Sequence, residues 1–103
     1  MVNLKVKHTA RHRLAGHREK AIVGVVGSGN LEVLLERTLH GSECEVEINT
    51  PVRGFDELWK AVITDFIERA SPGGLKISIN DGGARPDTVH LRLMQGSAMM
   101  EAE

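Results

Sequence analysis

Apolar and polar positions alternate along most of this chain and fall into helical spacing only once. Glu43–Thr50 shows the alternation most plainly. Cys44, Val46 and Ile48 share one side, and Glu45, Glu47 and Asn49 share the other. That is a strand with one wet face, as in an antiparallel sheet, and Pro51 ends it. Ala21–Val26 and Leu31–Arg37 read as two more strands, with Glu32 and Leu34 directed away from the core side. Gly27, Ser28, Gly29 and Asn30 join them as a short hairpin connection, because Gly and Asn accept the positive φ of tight turns. Leu75–Ile79 and Val89–Leu93 alternate too, with Leu75, Ile77, Ile79, Val89, Leu91 and Leu93 inward. Asn3–His8 sets Leu4 and Val6 against Lys5 and Lys7, a short edge strand whose lysines discourage stray pairing.

The helical spacing lies in Gly54–Ala70. Phe55, Leu58, Trp59, Val62, Ile63, Phe66, Ile67 and Ala70 recur at three and four, giving one broad apolar face. Asp56 and Glu57 suit the first turn and Arg69 the last, where the helix dipole favours those charges. Ser71-Pro72-Gly73-Gly74 stops the helix. Thr9–Lys20 has no period and reads as a loop or mobile arm. Gln95–Glu103 reads as a frayed tail. The expected fold is α+β: a two-layer sandwich with a mostly antiparallel sheet of about five strands, in the order β-β-β-α-β-β, and one main helix on one face. One domain spans 1–103, with a basic, partly mobile arm over 1–20 and the tail over 95–103.

Size and composition narrow the function. A chain of 103 residues forms a modest core and leaves little room for a deep substrate cavity. The single cysteine rules out an internal disulfide and fits a reducing compartment. No apolar run approaches the roughly 20 residues of a membrane span, and no secretory leader is evident. These features predict a cytoplasmic protein that does not engage a membrane. The net charge is −1, yet residues 1–20 hold six of the thirteen Lys and Arg and a single acid, Glu19. A basic segment on an acidic body suggests an anionic contact: nucleic acid, a phosphorylated cofactor or an acidic protein face. No aromatic is interleaved for base stacking, so nucleic acid is not the expected partner.

Ser28 is the main candidate for chemistry. On residues alone three readings stand: an ordinary turn serine, a modified serine, and a nucleophile. A nucleophile needs a base and an orienting group. His40 is a candidate base without a second partner, and Val26 and Asn30 occupy the outer glycine positions of a nucleophile elbow. A modified serine needs exposure and slender neighbours, which the flanking glycines supply, and their N–H groups suit phosphate oxygens. The five histidines, His8, His12, His17, His40 and His90, lack the spacing of a metal site. Cys44 falls inward, as a small core residue.

The run Val26–Glu36, Val-Gly-Ser-Gly-Asn-Leu-Glu-Val-Leu-Leu-Glu, resembles the segment around the modified serine in the acyl carrier subunit of bacterial malonate decarboxylase. The citrate lyase carrier is a more distant match. The similarity runs from about Ala21 to Met94. The family carries Asp after Ser-Gly where this chain has Asn30, which removes a charge and keeps the turn chemistry. The resemblance implies a non-catalytic carrier. Phosphoribosyl-dephospho-CoA would be joined to Ser28 through a phosphodiester, with Gly27, Gly29 and Asn30 shaping the turn around it. The thiol end would carry malonyl and acetyl. Implied partners are the acyl-transferase and decarboxylase subunits and the enzyme that transfers the group. The competing reading is a non-covalent adaptor that binds through the sheet face and basic segment.

Overall fold

The computed structural model describes residues 1–102. Five strands and two helices follow in order: β1 (Val2–Thr9), β2 (Lys20–Gly24), β3 (Leu31–Arg37), β4 (Glu43–Thr50), α1 (Asp56–Ala70), β5 (Leu75–Asp81) and α2 (Pro86–Glu101). The expected α+β class and five-stranded sheet are present. The sheet order is β1-β4-β5-β3-β2. Every neighbouring pair is antiparallel except β4 and β5, which run parallel because α1 carries the chain back between them.

One sheet face is dry. Val33, Leu35, Val46, Ile48, Ile77 and Ile79 are fully buried on it, and Ile63, Phe66, Leu93 and Met100 from the helices are fully buried as well. The other face is polar in ordered rows. Lys7, Glu45, Lys76, Glu36 and Lys20 are successive register partners across all five strands, so charges of opposite sign alternate along the row. A parallel row runs Asn3, Asn49, Asn80 and Glu32, with Asn3 Nδ2 donating to Asn49 Oδ1 at 2.7 Å. No helix among the described residues is long and apolar enough to cross a membrane.

The structure revises three expectations. Val89–Leu93 is not a strand but the start of α2. A five-residue alternation is compatible with both periods, and the longer pattern is helical: Val89, Leu93, Gly96, Ser97 and Met100 are buried while Leu91 is 52% exposed. Pro86 at the first helical position is the start signal. The two-layer sandwich therefore has two helices on its dry face. The tail over 95–103 is accordingly the continuation of α2 through Glu101, with Met100 fully buried; Glu103 lies outside the described residues.

Third, the basic segment is packed onto the body. Ala10 and Leu14 are buried, Arg11 and Arg13 donate to main-chain carbonyls of the body, and Arg37 on β3 holds the segment's own carbonyls. Arg13 Nη1 donates to Leu39 O and Gly41 O, at 3.1 and 2.7 Å. Arg37 donates to the carbonyls of Leu14, Ala15, Arg18 and Met100 at 2.6 to 3.0 Å. For Arg11 and Arg13 the contact that the charge pattern called for is supplied internally, by carbonyl dipoles of α1 and of the loop after β3.

Candidate functional site

The connection between β2 and β3 is longer than expected, because β2 ends at Gly24 rather than Val26. Gly24 has φ +76°, and a Cβ there would lie 2.2 Å from Leu31 O. Only glycine allows that crossing. Val25 and Val26 therefore leave the sheet and are 63% and 57% exposed. Asn30 N donates to Gly27 O at 3.0 Å, closing a four-residue turn. Gly29 has φ +74° and Ser28 a negative φ, the sign pattern of a type II turn with glycine at its third position. Ser28 stands at the corner, exposed. No atom lies within 4 Å of a Cβ built on Gly27 or Gly29.

This corner is held in place from beneath. Gly29 N donates to Gly82 O at 3.0 Å, and Gly82 N donates to Asn30 O at 2.8 Å. A Cβ on Gly82 would sit 2.0 Å from Gly27 O, so the loop after β5 meets the turn backbone to backbone. Asp81, just before it, is buried. Its Oδ2 accepts Thr50 Oγ1 and its Oδ1 accepts Ala84 N, both at 2.8 Å. Thr50 Oγ1 in turn accepts Val52 N at 3.2 Å. This relay ties the ends of β4 and β5 to the turn that carries Ser28.

Asn30 has a different role from the one expected of it. Its φ is not positive. It serves through its side chain: Oδ1 accepts Leu31 N at 2.8 Å and Arg92 Nε at 3.4 Å. Arg92 extends from α2 over Gly24 and also donates to Gln95 Oε1 at 2.9 Å. Among the described residues it has no carboxylate partner, so its charge faces the turn uncompensated. The alternation of Val89–Leu93, read as a strand, gave Arg92 no part in the site. Recognising it required knowing that 86–101 is a helix. The flanking glycine N–H groups were expected to be open to a phosphate, but the Gly29 N–H is already engaged by Gly82.

The other candidates do not converge on Ser28. Ser28 precedes β3 and His40 follows it, so the seven residues of β3 separate them by roughly 20 Å at strand rise. No base reaches the serine from that side. No group of three or more metal-ligating side chains exists among the described residues. Cys44 is buried, and its thiol is pushed up to about 12, first by burial and then by the Glu45 charge. It is a protonated core residue and not a nucleophile.

Residues 18–100 match the malonate decarboxylase delta subunit family. The malonate decarboxylase acyl carrier protein of Bradyrhizobium diazoefficiens is 62% identical over 95 residues, covering 92% of this chain and 90% of that protein. The protein of the same name from Burkholderia cepacia is 55% identical over 86 residues, covering 84% of this chain and 79% of that one. A chain in the crystal structure of a Pseudomonas malonate decarboxylase hetero-tetramer in complex with malonate matches the fold with a TM-score of 0.84. It is 36% identical, with 97% of this chain and 99% of that chain covered.

Proposed function

This chain belongs to the malonate decarboxylase delta subunit family, the acyl carrier subunit of that enzyme, and we infer that Ser28 is its covalent attachment point. The group attached is phosphoribosyl-dephospho-CoA, through a phosphodiester to the serine oxygen. When bound, it supplies a thiol on which malonyl and acetyl are carried. The observation that supports this reading is an exposed serine at the corner of a turn that is itself clamped to the sheet.

The residues present fit such a group. The space beside Ser28 is open at both flanking glycines, so a transfer enzyme meets no side-chain obstruction. A phosphodiester brings a permanent negative charge, and the Arg92 guanidinium, 3.4 Å from the Asn30 amide oxygen, is placed to offset it. The clamp through Gly82 keeps the anchor from drifting while partner subunits act at the far end of the arm. The exposed Ile22, Val25 and Val26 beside the turn offer those subunits an apolar foothold. Tethering replaces diffusional encounter with an effective concentration on the order of millimolar. The chain needs no catalytic side chain of its own, and the acyl-transferase and decarboxylase partners do the chemistry.

Ser28→Ala tests the reading. In a cell whose malonate decarboxylation depends on this chain, the variant is expected to abolish the activity and leave the melting temperature unchanged. A folded Ser28→Ala protein that still supports decarboxylation would overturn the assignment. Arg92→Gln is expected to slow attachment about tenfold, from loss of one charge-assisted contact. Arg92→Lys should retain part of that rate.

A further inference from the structure

The Ser28 turn, the loop after β5, the segment after β4 and the first turns of both helices all lie at one end of the sandwich. That end also holds a pocket of about 220 Å³, bounded by Val52, Phe55, Leu58, Trp59, Val62 and Val89 on its apolar sides. Asp81, Gly83, Ala84 and Pro86 form the remaining wall. This is the loop whose Gly82 makes the two hydrogen bonds to the Ser28 turn. The anchor and the pocket therefore share one wall.

The pocket is built for an uncharged guest. Its one ionisable group, Asp81, has each carboxylate oxygen accepting a hydrogen bond from the protein itself. The mouth is unusually apolar for a surface in water: Phe55 is 48% exposed, Leu58 43% and Val52 37%. An apolar cavity of roughly 150 Å³ is enough to hold benzene, so this one has room for a short branched aliphatic segment. A carboxylate entering it would lose its hydration without a partner.

We propose that this pocket is the resting seat of the arm attached at Ser28. It receives the dimethyl group of the pantetheine chain, while the diphosphate, hydroxyl and amides on either side of that group stay in water. The proposal rests on Ser28 being the attachment point. The tether favours this occupant over any free ligand, since a site of only millimolar affinity is substantially filled at a tethered concentration of the same order.

Trp59, the only tryptophan, lies in the pocket wall and provides an indole N–H resonance free of overlap. The test compares unmodified and modified protein by methyl and indole NMR, after intact mass has established the group on Ser28. The expected result is shifts at Trp59, Val62 and Val89, with nuclear Overhauser contacts between their protons and the two methyls of the arm. Phe55→Ser should remove those contacts. It opens the mouth without endangering the fold, because Phe55 is the N-cap of α1 with no side-chain cap bond and serine is a favoured cap. A modified protein with no such contacts overturns the pocket assignment and leaves Ser28 untouched. Shifts that arise only when partner subunits are added overturn it in favour of a partner side chain. Failure of the group to attach at Ser28 overturns both readings together.

Discussion

Gly82→Ala is the sharpest perturbation of the clamp that positions Ser28. The new methyl would sit 2.0 Å from Gly27 O and 3.0 Å from Asn30 O, closer than van der Waals contact permits. Both partners are main-chain atoms, so no side-chain rotation relieves the clash. The two loops must part, and the bonds Gly29 N to Gly82 O and Gly82 N to Asn30 O are lost. At about 1 kcal/mol net for each, the cost is about 2 kcal/mol. For a domain of this size that lowers the melting temperature by roughly 8–16 °C. Gly27→Ala is the matched control. It lies across the same contact, has no positive φ, and its Cβ meets no atom within 4 Å. Its effect should stay within about 0.5 kcal/mol. Urea unfolding of the two variants at equal slope, with hydrogen exchange at the Gly29 amide, makes the comparison. The reasoning is refuted if Gly82→Ala unfolds with the wild type, or if Gly27→Ala is equally damaging.

Two further outcomes are expected. Arg37→Met removes a guanidinium shared by four carbonyls and should destabilise by about 2–4 kcal/mol, with residues 10–19 becoming sensitive to protease before the sheet does; unchanged proteolysis would contradict the packing described for that segment. Cys44 makes stability fall with alkali. Its thiol ionises near 9.0 when unfolded and only near 12 when folded, so the protonated form favours folding, and that contribution is lost as pH rises from 9 to 12. The loss is about 1.4 kcal/mol per pH unit. Wild type minus Cys44→Ala, measured by urea unfolding across that range, should show this slope, and a flat difference would refute the burial argument.

How much was legible depended on whether a segment's own residues settled its conformation. β4 and α1 were readable because Cys44, Val46 and Ile48, and then Trp59, Ile63, Phe66 and Ile67, each keep one period over many residues. Ser28 was readable as exposed because its glycines left no other outcome. α2 was not, because Gly96 and Ser97 are small residues on its buried face. A helix that packs through small residues against Leu35 shows a weak apolar stripe, and Val89–Leu93 mimics a strand. Arg11 and Arg13 of the basic segment were misread for a related reason. Their partners are carbonyls of α1 and of the loop after β3, distant in sequence, which no local pattern reveals. Arg92 and Gly82 came into the site through tertiary contact alone.

The account stands most directly on the mass of one peptide. Trypsin cuts after Lys20 and Arg37, and in residues 21–37 Ser28 carries the only hydroxyl. In protein isolated with its transfer enzymes present, that peptide should carry the added mass of phosphoribosyl-dephospho-CoA, with fragment ions locating it on Ser28. The bare peptide under those conditions, or the added mass on any other residue, would contradict the account.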